Sequence, residues 1–341
     1  EGGNSIVEVI KSFNLRYVKL QFIWLICGLF LLAMVVSIDY NTIGDYSSIF
    51  YWIVIVLLII VEVAGAVRGN AQRWIAIGSF TIQPAEFAKL AVILTGAKTL
   101  SKNELEEKRF KDFLPVIARF ALPIFLVIQN DLGTSMVLMV ILFSMLFVMG
   151  MSYKLIFGFL GIGVIVAPIM WFNFLTPVQQ TRILVFLNPS LDPTGDGYHV
   201  IQSVMAIGSG RLTGKSLLSG NTLSQLNFLP EPHTDFIYSV IVEALGFLGG
   251  ITVIILYGII IIRSIQIARK AKDTFGQLIV IGVVSMQMAH IFENIGMTMG
   301  IMPVTGIPLP FVSYGGSFMW TNMIALGLVL NVGMRRQKIK F

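Results

Sequence analysis

The chain has 341 residues, of which 56% are hydrophobic and only 12% charged, with a formal net charge of +6 and a mean hydropathy of +0.83. A soluble domain carries roughly 25% charged residues because its surface faces water, so a water-soluble protein is excluded. One cysteine (Cys27) and three scattered histidines (His199, His233, His290) exclude an internal disulfide framework and a zinc-type ligand spacing. The placement of the positive charge follows membrane topology rather than a nucleic-acid surface.

The sequence begins with Glu1 and shows no signal peptide with a small-residue cleavage site, which points to a start inside a longer product. A bilayer core takes roughly 20 mostly apolar residues per helix. In chain order the runs that meet this are Phe22–Ile38, Ile49–Val67, Pro84–Leu100, Phe113–Ile128, Leu132–Met151, Leu155–Leu175, Phe236–Ile262, Gly276–Ile295 and Ser317–Met334. The third, fourth and eighth are interrupted by charged or polar residues. The expectation is an all-α polytopic membrane protein of about nine visible spans, a single membrane domain over 1–341 without tandem repeats.

Alternating sides sort the loops into two sets. Segments 39–48, 101–112, 152–154, 263–275 and 335–341 are short and dense in Lys and Arg, among them Lys102, Lys108, Arg109, Lys154, Arg269 and Lys272. The positive-inside rule makes them cytoplasmic and leaves the N-terminal tail and the long 176–235 loop outside. That loop exceeds an ordinary connection. It mixes turn punctuation (Asn188-Pro189, Asp192-Pro193, Thr194-Gly195) with the partly apolar stretch Tyr198–Ile207, which suits a short interfacial helix. Gly296–Gly316 holds three prolines and five glycines with almost no charge. Irregular backbone at membrane depth must be buried in protein or line a cavity.

Charged side chains inside spans cost about 2.5–3.5 kcal/mol each on insertion scales, so they face a cavity or a partner. The chain has Glu62, Glu86, Lys89, Arg119, Glu243 and Glu293. Glu86 and Lys89 are three apart, on one helix face, and form either an ion pair that locks helices or a polar site. Glu62 and Arg119 read as structural pairing, and Glu293, near the outer end of its span, as a solvated group. Arg68, Arg73, Arg211 and Lys215 are cations of the outer face; Asp131, Asp192, Asp196, Glu231 and Asp235 are its acids. Cations beside a membrane cavity suit a diphosphate, which Arg forks and Lys point charges both bind. The run Gly208–Ser216 ends in Gly-Lys-Ser but lacks the preceding strand of a P-loop, and reads as a chance match. Asp235 sits where the long loop meets a span. It reads either as a helix cap, shared with Thr234, or as a general base at the membrane surface.

The words Arg73-Trp74, Gln83-Pro84-Ala85-Glu86-Phe87-Ala88-Lys89 and Gln129-Asn130-Asp131-Leu132-Gly133-Thr134 resemble the front half of the SEDS family of cell-wall polymerases. Later words are more specific: Asn188-Pro189, then Asp192-Pro193-Thr194-Gly195-Asp196-Gly197-Tyr198, then Gln202-Ser203, and then Phe228-Leu229-Pro230-Glu231-Pro232-His233-Thr234-Asp235-Phe236-Ile237. The last are Asn294-Ile295-Gly296 and Pro303 to Ser317. The resemblance runs in order from about residue 20 to the C-terminus. Asn-Pro before Gly-Asp-Gly-Tyr, and Ile307-Pro308-Leu309-Pro310-Phe311, are more similar to the RodA branch than to the FtsW branch.

The resemblance implies ten spans with both ends cytoplasmic, so a first span is expected upstream of Glu1. It implies a bacterial cytoplasmic-membrane glycosyltransferase that polymerises lipid II into a nascent glycan strand on the outer face during elongation. Asp235 is its essential acid and would act as general base. Arg73, Trp74, Glu86, Lys89, Asp131, Gln202, Arg211 and Lys215 are the expected substrate-binding residues, with Glu86 orienting Lys89. A divalent cation (Mg or Mn) could bridge the diphosphate to Asp235 or Asp131. The implied partner is a class B penicillin-binding protein; nucleic acid is not expected. A lipid II transporter, an FtsW-like division polymerase and a structural scaffold remain the alternatives. Asn130 stands where the family usually has Pro, Arg211 and Ser216 where it usually has Gly, and Ala244 where a second Glu is common.

Overall fold

The computed structural model describes residues 15–68, 71–77, 80–102, 110–173, 175–216, 222–226 and 228–335. The tail 1–14, the basic segment 103–109 and residues 336–341, all assigned a side of the membrane from sequence, lie outside the described residues. Each of the nine hydrophobic runs is a helix. They are α1 (Leu15–Ser37), α3 (Ser47–Ala64), α4 (Pro84–Ser101), α5 (Phe110–Ile128), α6 (Leu132–Val148), α7 (Tyr153–Asn173), α10 (Ile237–Arg269), α11 (Thr274–Thr298) and α12 (Gly316–Met334). Shorter helices are α2 (Tyr40–Asp45), α8 (Pro177–Leu187) and α9 (Asp196–Ser209).

Among the described residues, six helices are long and apolar enough to cross a membrane: α1, α3, α7, α10, α11 and α12. The chain is a multi-pass membrane protein. Helix α6 is apolar but shorter. Helices α4 and α5 are diluted by charge, Glu86, Lys89 and Lys98 in one and Lys111, Asp112 and Arg119 in the other. Membrane helices that carry charge must bury it, and α4 does so: most of its residues are inaccessible.

Between α3 and α4 lies an antiparallel meander that the sequence reading passes over as loop. Strand β2 (Ala71–Ile77) pairs with β1 (Ala66–Arg68) and β3 (Phe80–Ile82). A bulge falls between Ala66 and Val67, and Trp74 stands opposite Ala66.

The chain forms two compact units. The first comprises 1–27, 180–260 and 290–315, and so holds most of α8, α9, most of α10, the end of α11 and the Gly/Pro-rich segment after it. The second comprises 28–179, 261–289 and 316–341, and holds α2 to α7, the meander and α12.

The predicted short helix is α9, which is a packed element of the first unit. Its Gly197, Val200, Ser203 and Ala206, spaced by three, are buried. Ser203 Oγ lies 2.6 Å from Ser239 Oγ on α10 and donates to the Thr298 carbonyl at the end of α11.

Candidate active site

Asp235 belongs to the segment that leads from the 176–235 loop into α10. Pro230 and Pro232 fix φ and remove N–H donors, so the chain turns there instead of extending a helix. Glu231 sits at φ 43, and its carbonyl accepts the N–H groups of Thr234 and Phe236 at 3.3 and 3.4 Å. Leu229 and Phe236 anchor both ends of the turn in an apolar cluster with Val200, Met297 and Val304. The Phe236 carbonyl accepts from Ser239 and Val240 in the first turn of α10. The cap position is therefore Phe236, and Asp235 stands one residue outside it.

Three successive carbonyls of this segment are clamped from the far end of the sequence. The Tyr314 N–H donates to His233 at 2.8 Å, the Ser313 hydroxyl to Thr234 at 2.6 Å, and the Asn294 amide to Asp235 at 2.8 Å. Asn294 is fully buried and spends its second donor on the Ile307 carbonyl at 2.7 Å. Ser313 accepts the Leu309 N–H. Gln21 on α1 holds the same loop by donating to the Ser313 carbonyl and accepting from the Gly315 N–H. The Tyr17 ring rests on His233 and meets Tyr314 edge-on. A Cβ on Gly306 would sit 3.4 Å from Asp235 Oδ2, so the Pro-rich segment passes directly beside the carboxylate. The result is a half-buried Asp whose backbone has almost no freedom.

The same unit contains a broken membrane helix. Within α10, Gly246 adopts φ 69, ψ −168, a conformation that only glycine takes readily. Backbone groups freed by such a break need new partners. The loop after α9 supplies them. Lys215 and Ser216 N–H donate to the carbonyls of Glu243 and Ala244, while Phe247 and Leu248 N–H donate to those of Arg211 and Leu212. Backbone meets backbone so closely that a Cβ on Gly214 would lie 2.2 Å from the Ala244 oxygen. Arg211 and Ser216, at φ 50 and 71, are both left-handed, which explains why glycine suits these positions. The Gly-Lys-Ser run is this plug and not a phosphate loop.

Glu243, fully buried beside the break, accepts the N–H groups of Leu223 and Ser224 at 2.7 and 3.3 Å, and the Lys215 ammonium at 3.3 Å. It fixes the loop at Leu223 and Ser224. On the helix before the plug, Gln202 has a buried Oε1 without a hydrogen-bond partner among the described residues. Asp192 and Asp196 are structural: Asp192 accepts the N–H groups of Gly195 and Asp196, both at 2.9 Å, and Asp196 pairs with Arg182 at 3.2 Å.

The second unit carries its own polar cluster. Asp131 caps α6 by accepting the Thr134 N–H at 3.0 Å. It also accepts the Gln83 amide at 3.1 Å and pairs with Arg73 on β2 at 3.5 Å. Arg73 Nε donates to the Asn130 carbonyl at 2.5 Å. Asn130, where the family usually has Pro, in turn donates its amide to Glu62. One turn into α4, Lys89 and Glu86 are 0% and 3% exposed and bonded at 2.9 Å. The Lys89 ammonium also faces the Phe318 ring of α12 at 5.7 Å.

Two expectations fail. Glu62 and Arg119 do not pair with each other: Arg119 lies beside Tyr51 near the start of α3 and donates to Thr99, while Glu62, at the other end of that helix, accepts from Asn130. Glu293 is not solvated but buried, because the Gly/Pro-rich segment folds back to place Thr305 Oγ1 3.5 Å from its carboxylate. Gln83, Glu243, Asn294 and Ser313 complete the two clusters and were not singled out as site residues. Glu243 carried a usable signal, a charge in a span. The other three are neutral, and their weight comes only from the carbonyls and carboxylate they reach.

Helices long and apolar enough to cross a membrane, a clamped carboxylate at the start of one of them and a Gly/Pro-rich segment beside it mark a membrane-embedded protein. The family model for cell cycle proteins of the FtsW, RodA and SpoVE group matches residues 4–338, and the chain belongs to that family. It is 38% identical over 316 residues to the peptidoglycan glycosyltransferase MrdB of Escherichia coli K12, covering 92% of this chain and 84% of that protein. A solved structure described as a peptidoglycan synthase complex that coordinates polymerization and crosslinking is similar with a TM-score of 0.81 and 30% identity, over 95% of this chain and 91% of that one. The crystal structure of the Thermus thermophilus rod shape determining protein RodA is similar with a TM-score of 0.69 and 26% identity, over 93% and 87% of the two chains.

Proposed function

We infer that this chain is a peptidoglycan glycosyltransferase of the RodA type, which polymerises lipid II on the outer face of the bacterial cytoplasmic membrane. The 4-hydroxyl of one lipid-linked GlcNAc attacks the anomeric carbon of MurNAc at the end of the growing strand. The bond from that carbon to undecaprenyl diphosphate breaks, with inversion. Asp235 takes the hydroxyl proton as the new bond forms; such general-base help is worth about 10²–10⁴-fold.

The observation that carries this reading is the triple clamp on His233, Thr234 and Asp235. A cap needs only a short side chain near the first turn, whereas a base must be held at a fixed distance from the proton it removes. Lys215, one-third exposed and in the same unit, is the proposed contact for the leaving diphosphate, whose charge it would offset. Arg73 and Lys89 are committed within their own cluster, and we assign them to holding that unit together. A divalent cation, Mg or Mn, at the diphosphate is part of this proposal.

Purified protein given lipid II tests the activity: polymer supports the polymerase, relocated monomer in vesicles supports a transporter, and neither supports a scaffold. A class B penicillin-binding protein is the proposed partner, supported by the similarity to a complex that couples polymerization and crosslinking. The outer position of 176–235 predicts that a cysteine replacing Ser224 reacts with an impermeant reagent on intact cells while one replacing Thr274 does not; equal labelling would refute the topology.

A further inference from the structure

At the opposite end of the second unit, two adjacent cavities share one face of α4. Phe87, Leu90 and Leu94 line an apolar groove of about 430 Å³, closed by Val35 and Ile38 of α1, Thr42 and Ile43 of α2, and Ile324 and Leu328 of α12. The next positions on the same helical face, Lys98, Ser101 and Lys102, line a polar cavity of about 300 Å³ with Asn41, Asp273, Thr274 and Phe275. Spacings of three and four residues keep these side chains in one stripe. Tyr46, 64% exposed, stands at the groove's rim, and an amphipathic ring at that level marks the membrane–water boundary. The Lys/Arg distribution places this end in the cytoplasm.

The charges at the polar end are unevenly committed. Asp273 lines the cavity but already accepts the Tyr40 hydroxyl at 2.6 Å and the Gly276 N–H at 2.7 Å. Among the described residues Lys98 pairs with one carboxylate, Asp45 at 2.9 Å, which is itself 68% exposed and hence well solvated, and its ammonium also lies over the Phe275 ring. Lys102 is exposed one turn further on. Lys98 and Lys102 against Asp273 give the lining residues one net positive charge, which Asp45, outside the lining, offsets in part through Lys98, and the apolar groove begins one helical turn deeper. Basic pockets between membrane helices on the cytoplasmic side bind anionic lipid headgroups, and a space of this size lies within the range of small-molecule sites.

We propose that this double cavity is a binding site for one anionic glycerophospholipid of the cytoplasmic leaflet, its phosphate on Lys98 and Lys102 and an acyl chain in the groove along Leu94, Leu90 and Phe87. The site is independent of the polymerase reading and of Asp235. Its ligand is a resident membrane lipid, not the substrate.

The test is native mass spectrometry of the purified full chain titrated with phosphatidylglycerol or phosphatidylcholine of the same acyl chains. Phosphatidylglycerol is expected to be retained preferentially as a single adduct. Each lysine near a headgroup contributes about fivefold in affinity, so Lys102→Gln should weaken retention about fivefold and Lys98→Gln with Lys102→Gln roughly 25-fold. Leu94→Trp leaves both lysines in place and should displace the chain, losing the adduct with either headgroup. Equal retention of the two lipids, or a phosphatidylglycerol preference unchanged in the mild Lys102→Gln variant, would overturn the proposal. Because Lys102 is exposed, that variant keeps the test decisive even if the double variant does not fold.

Discussion

The turn carrying Asp235 and the cluster around Lys89 are both polar and both set in a membrane protein, yet they are assembled from different materials. At Asp235 the fixed atoms are backbone carbonyls, held by a buried amide, a hydroxyl and one N–H. Around Lys89 the fixed atoms are the charges themselves, Glu86 against Lys89 and Asp131 against Arg73 and Gln83. Changing a charge should therefore cost chemistry in the first region and folding in the second.

The largest expected effect is Asp235→Asn. Asn has the size and shape of Asp, and the turn is held through backbone carbonyls that it keeps, so the protein should express and insert normally while polymerisation of lipid II falls by about 10²–10⁴-fold or more. Near-normal polymer from a folded Asp235→Asn protein would remove the residue from the chemical step. Next comes Lys89→Met, which strands a buried carboxylate and should cost about 3–5 kcal/mol of stability, read as lost yield and a lower Tm. Combining it with Glu86→Gln should recover most of that loss; if it does not, the pair does more than hold helices. Asn294→Leu removes two buried hydrogen bonds worth about 1 kcal/mol each but no charge. We expect kcat to fall about tenfold with KM little changed, since the clamp positions Asp235 rather than binding substrate. A proportional loss of folded protein instead would make Asn294 a packing residue. The smallest effect, of opposite sign, is Ser216→Gly, where relief of the left-handed backbone should raise stability by about 1 kcal/mol; no change in Tm would mean that the plug does not strain this residue.

Hydropathy made the helices legible because each span must satisfy its own backbone in lipid, and the nine runs found from sequence are the nine long helices among the described residues. Family words made the Asp235 segment legible. What stayed hidden depends on pairings distant in sequence. Strands β1 and β3 have three residues each, too few to show a period. The break in α10 is silent in hydropathy, since the run Leu245 to Gly250 stays apolar through Gly246 and its rescue comes from Arg211 to Ser216, more than 25 positions earlier. Glu293 looked solvated because a position near a span's end says nothing of what folds over it. Asn294 and Gln83 looked ordinary because a neutral amide gains importance only from the acceptors it meets.

The clamp also has a consequence in time. Asp235 leaves the ribosome about sixty residues before Asn294, and nearly eighty before Ser313 and Tyr314. Until those residues are made and inserted, the turn has none of the three bonds that hold it. A nascent or prematurely terminated chain thus carries the carboxylate without its setting. The residues that set the Asp235 turn are translated well after it, so a copy truncated before Asn294 is expected to yield no polymer.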